Sequence, residues 1–136
     1  IKPTTQQAKQ LQILNEAVKL ITENDQFGLF PKEGTQLYAF DKTSNIESST
    51  GYYAAVNSKK LNGVFINTKK LQSESFPTML TNVLCEMLEG QTSKKLSSYS
   101  YNQTDLIRSQ LNTLITQPQI VEKLNILERI FKEQQK

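Results

Sequence analysis

The apolar residues of this chain change period twice, and that change limits the fold more than any single residue does. Over residues 4–24, Ala8, Leu11, Leu14, Val18 and Ile21 recur at three- and four-residue spacing, with Gln, Lys, Asn and Glu between them. That spacing predicts an amphipathic helix. Thr4 or Thr5 supplies a cap for its start, and Gly28 suits the left-handed turn that closes such a helix. Over residues 29–75 the helical period is lost. Leu37-Tyr38-Ala39-Phe40, Tyr52-Tyr53-Ala54-Ala55-Val56 and Gly63-Val64-Phe65-Ile66-Asn67 are short aromatic or β-branched runs between polar, turn-prone stretches. The second and third runs are expected to pair as a hairpin, with Asn62-Gly63 as a turn signal, and the first to join them in an antiparallel sheet.

From residue 76 the helical period returns. Met79, Leu80, Val83, Leu84, Met87 and Leu88 form one broad apolar face, with Ser75 as cap, Pro77 in the first turn and Gly90 as a stop. Residues 91–104 are polar and read as a loop carrying Tyr99 and Tyr101. Asp105 opens a helix with Leu106, Ile107, Leu111, Leu114 and Ile115, and Pro118 interrupts. The last helix, 119–134, carries Ile120, Leu124, Leu127 and Phe131 on one stripe. The expected fold class is α+β: an N-terminal helix, a small antiparallel sheet of about three strands, then three helices, in one domain over residues 1–136. The chain opens on Ile1, and we read it as a domain excised from a longer protein.

The composition narrows the chemistry. There is no histidine and one cysteine, Cys85, in 136 residues. This removes the usual proton shuttle near neutral pH and the commonest metal ligand. Ser97, Ser98 and Ser100 offer hydroxyls, but the base that usually activates them is missing. The chain contains no Gly-x-Gly-x-x-Gly, no phosphate loop and no Cys-x-x-Cys, so no cofactor is implied. No stretch approaches the roughly 20 apolar residues that span a bilayer. One cysteine forms no intramolecular disulfide, which leaves the compartment open. The formal net charge of +3 permits a nucleic-acid partner without arguing for one.

Residues 51–90 carry a strand-then-helix order in which Gly51-Tyr52-Tyr53 and Ile66-Asn67 precede the helix bearing Cys85, Glu86, Met87, Leu88 and Glu89. This passage resembles the zincin-like modules of bacterial polymorphic and contact-dependent toxins, whose helix carries His-Glu-x-x-His. The resemblance implies a metallopeptidase helix with Glu86 at the general-base position. Both histidine positions depart from the pattern, being Cys85 and Glu89, and a third ligand would have to come from Asp105 or another distant carboxylate. The resemblance therefore implies a relative that has lost the chemistry. On their own terms, the same residues read as a core stripe with Cys85 at its edge and Glu86 and Glu89 in solvent.

Three lysine pairs, Lys59-Lys60, Lys69-Lys70 and Lys94-Lys95, together with Tyr99 and Tyr101, outline a basic, aromatic-flanked surface for RNA or single-stranded nucleic acid. Lysines on turns and sheet edges also serve solubility and block edge-to-edge pairing. The sequence therefore supports three functional expectations. First is a non-catalytic protein-binding or delivery domain of a larger bacterial secreted or toxin-related protein, with a protein as partner. Second is a toxin enzyme, either a histidine-free nuclease or a degenerate metallopeptidase. Third is a helical module that forms a homodimer through 119–134. The balance is against an enzyme.

Overall fold

The computed structural model describes residues 3–30, 36–40, 52–57, 60–92 and 101–135, and for residues 40, 52–57, 60–62, 89–92 and 101–105 it describes the backbone. The elements run α1 (Thr5–Glu23), β1 (Gln36–Phe40), β2 (Tyr52–Asn57), β3 (Lys60–Asn67), α2 (Thr68–Ser73), α3 (Phe76–Thr92), α4 (Tyr101–Ile115) and α5 (Pro118–Glu133).

Helix α1 starts where a capping box ties Thr4 to Gln7, each side chain bonding the other residue's backbone N–H. It ends in a turn where the Asp25 carboxylate accepts from the N–H groups of Phe27 (3.1 Å) and Phe30 (2.7 Å). Gly28 takes φ +66° there, as its place in the sequence predicts.

The architecture is α+β, but the sheet is mixed rather than antiparallel. Its order is β1-β3-β2, with β1 parallel to β3 and β2 antiparallel to it. The physical reason lies in β3, whose Val64-Phe65-Ile66 core is the most β-branched of the three runs. It takes the centre, where Val64 and Ile66 are fully buried, and so separates β1 from β2. The Asn62-Gly63 pair lies inside β3 rather than in a turn. Gly63 is needed there because a Cβ would stand 2.7 Å from Tyr38 Cε2 and 2.9 Å from the Gln36 carbonyl oxygen.

Among the described residues, four helices follow the sheet rather than three. The added one, α2, is capped by Asn67, whose side chain accepts from the Lys69 N–H at 2.9 Å. Helix α3 runs through Gly90, a residue that costs a helix interior about 1 kcal/mol without forbidding it. Helix α4 begins at Tyr101 rather than at Asp105, so part of the expected loop is helical.

Helices α1 and α3 cover the sheet face formed by Leu37, Ala39, Val64 and Ile66, with α1 against β1 and α3 against β2 and β3. Tyr38 and Phe65, one residue out of phase, belong to the opposite face, where their rings stack at 4.9 Å. Helix α5 lies against α1 and α3. The buried residues of α1, β1, β3 and α2–α5 form one apolar cluster.

Glutamines fasten the end of this assembly. The buried Gln10 donates to the Leu71 carbonyl at 2.7 Å, and Gln135 donates to the same oxygen at 3.0 Å and to the Glu74 carbonyl at 2.9 Å. Gln6 donates to the Gln134 carbonyl. These bonds tie α1 and the end of α5 to α2. Gln10→Met keeps the side-chain length and removes one donor, and should cost about 1 kcal/mol in urea denaturation. Adding Gln135→Met should cost more than the sum of the two single changes, because Leu71 then loses both side-chain donors.

Candidate functional site

Of the degenerate motif positions, the structure describes the side chains of Cys85 and Glu86. Cys85 and Glu86 are half-buried on α3, with Cys85 packed against the core. Glu89 follows on the same helix, and its side chain, like that of Asp105, lies outside the described ones. Among the described residues, no group of three His, Cys, Asp or Glu side chains converges to hold a metal ion.

Of the lysine pairs, the structure describes the side chains of Lys69 and Lys70 alone. Lys69 is exposed on α2, whereas Lys70, one residue on, is engaged by Glu74 at 3.3 Å. The other oxygen of Glu74 accepts from Asn82 at 3.1 Å, so this acid links α2 to α3. Lys60 opens β3 and Tyr101 opens α4, but their side chains are outside the described ones, and Lys59, Lys94, Lys95 and Tyr99 lie outside the described residues altogether.

The apolar stripe of α5 faces its own domain. Ile120 and Phe131 are fully buried, and Leu124 and Leu127 pack against the same cluster. The stripe is core, and a dimer through it would require the domain to open. The expected Glu128–Lys132 pair is present at 3.5 Å on the same helix. The isoleucines that α5 does expose, Ile126 and Ile130, lie off the stripe.

What the structure adds is a groove of about 330 Å³ between α1 and β1. Ala8, Leu11, Gln12 and Asn15 form its helix wall, with Pro3 at one end, and residues 36–39 form its strand wall. Successive side chains of a strand point to opposite faces. Four consecutive residues therefore share one groove by presenting the strand's edge rather than either face. β1 is the terminal strand of the sheet and pairs on one side with β3; among the described residues, no strand pairs with its other side. That edge holds a row of backbone N–H and C=O groups suited to another strand. Edges are commonly guarded by lysine, proline or a bulge, and Gln36-Leu37-Tyr38-Ala39-Phe40 has none of the three.

Two other clefts differ in kind. One of about 170 Å³ lies between α3 and α5, lined by Phe76, Leu80, Ile115 and Leu124. It offers apolar surface between helices whose backbone bonds are internal. The other, about 360 Å³, is the glutamine-lined end, where amide donors are committed to backbone carbonyls. Only the α1/β1 groove of these three combines an apolar floor with an open strand edge. β2 is the sheet's other edge, but the groove is at β1.

The sequence does not reveal this site directly, because it depends on strand order. The available signal was the absence of any charge or proline in residues 36–40. Among the described residues, no helix is long and apolar enough to cross a membrane. The chain matches no family model, no curated protein and no solved structure.

Proposed function

We propose that this chain is a non-catalytic protein-binding domain that takes an extended segment of a partner protein as a fourth strand on β1. The observation that carries this reading is the groove along the open edge of β1, walled by α1. Strand addition draws affinity from main-chain hydrogen bonds and specificity from pockets for alternate side chains. The edge supplies the first, and Leu11, Leu37 and Ala39 supply an apolar floor for the second. The absence of histidine agrees with a binding role.

Calorimetric titration with a blocked Thr-Val-Thr-Val-Thr-Val peptide tests the reading. Binding is expected, and N-methylation at alternate residues, which removes the donors facing the edge, should weaken it at least about tenfold. Equal affinity for the methylated peptide would refute strand addition. In the protein, Ala8→Trp should fill the groove and abolish binding. Ala8 is exposed, so stability should change by no more than about 0.7 kcal/mol. Undiminished binding by the folded variant would place the peptide elsewhere.

A further inference from the structure

We infer that the strand this groove accepts is uncharged on its helix-facing side, with compact apolar, β-branched residues there. The inference rests on the strand-addition reading and adds the chemistry of the partner. None of the described residues lining the groove is charged. Its floor is Leu11 and Leu37, 7% and 2% exposed, and its polar contribution on the helix side is the amides of Gln12 and Asn15.

Every second side chain of an added strand points toward α1, and the others point to the face that carries Tyr38. A carboxylate or ammonium on the α1 side would lose water without meeting an opposite charge among the described lining residues, which is the costly way to bury an ion. Ala8 and Ala39, ending at Cβ, leave width for a branched side chain between helix and strand. Valine or isoleucine fits that space and also favours the extended backbone the edge demands. Lys9 and Glu16 are exposed on α1 but do not line the groove, so neither supplies the missing counter-charge there.

The test compares the blocked Thr-Val-Thr-Val-Thr-Val peptide with versions whose central valine is Glu or Lys. Both charged versions should bind about 10- to 100-fold more weakly. Loss with both signs separates desolvation from attraction to the net positive chain. A Gln12→Lys variant, which puts a cation at the groove wall, should then recover much of the affinity for the Glu peptide and none for the Lys peptide. If either charged peptide binds wild-type protein as tightly as the parent, the inference is overturned while strand addition stands. If the parent peptide does not bind, or its alternately N-methylated form binds equally well, strand addition itself fails and the inference falls with it.

Discussion

Replacing Phe131 with alanine should lower stability by about 3–5 kcal/mol, the range for removing a buried aromatic side chain. This is comparable to the total that holds many small domains together. Phe131 is fully buried near the end of α5, and its ring packs on Phe76, the first residue of α3, with centroids 5.4 Å apart and planes at 55°. Tilted aromatic pairs of this kind contribute about 0.5–1.5 kcal/mol beyond their buried area. The position matters because α5 follows the rest of the core in sequence and is fastened near the same end by Gln134 and Gln135. Losing Phe131 removes the apolar anchor at this end of α5 and leaves those amide bonds there, with Ile120, Leu124 and Leu127 holding the rest of the helix. Chemical denaturation monitored by circular dichroism measures the loss. Phe131→Leu, which refills much of the space, should lose less than half as much. A small effect of the alanine variant would mean that α5 does not belong to the core.

Gly63→Ala should destabilise by about 1–3 kcal/mol and abolish strand-peptide binding together with it. In an ordinary strand position this substitution is neutral or stabilising, because alanine has fewer unfolded conformations to lose. The sign reverses here because the new Cβ would meet two groups at once. Tyr38 Cε2, at 2.7 Å, is the far part of a side chain and can move aside, but the Gln36 carbonyl oxygen, at 2.9 Å, is backbone. Relief requires β1 to shift away from β3, and β1 is a wall of the groove. The double variant Gly63→Ala/Tyr38→Ala should recover only the part due to the ring. Full recovery would show that the backbone contact is tolerated.

These two residues also show what was legible in the sequence. Phe131 stands on a stripe with Ile120, Leu124 and Leu127 whose helical spacing marks one buried face. That spacing is local, and it identified α1, α3 and α5 for the same reason. It did not say whether the α5 face met its own domain or a second copy, since both burials leave the same pattern. Gly63 was legible as a turn signal after Asn62 and as the start of a strand run. Its real constraint is the passage of Tyr38 and the Gln36 carbonyl, which come from a strand distant in sequence. The placement of β1 beside β3 is non-local in the same sense, so the parallel pairing and the groove it creates could not be read from periodicity. The Asn67 cap folds Lys69 and Lys70 into α2, and Glu74 engages Lys70. The Gln10 tie to Leu71 was hidden because a buried glutamine and a solvated one look alike in a helical pattern.

The central claim is that the outer edge of β1 is a docking site for an extended chain. Hydrogen exchange of the folded protein, read residue by residue with and without saturating blocked Thr-Val-Thr-Val-Thr-Val peptide, tests it most directly. Added strand bonds should slow exchange at alternate amides within residues 36–40, whose outer side pairs with no strand among the described residues, and leave residues 118–133 unchanged. Protection confined to α5 or to residues 68–74, with the β1 amides exchanging as before, would contradict the account.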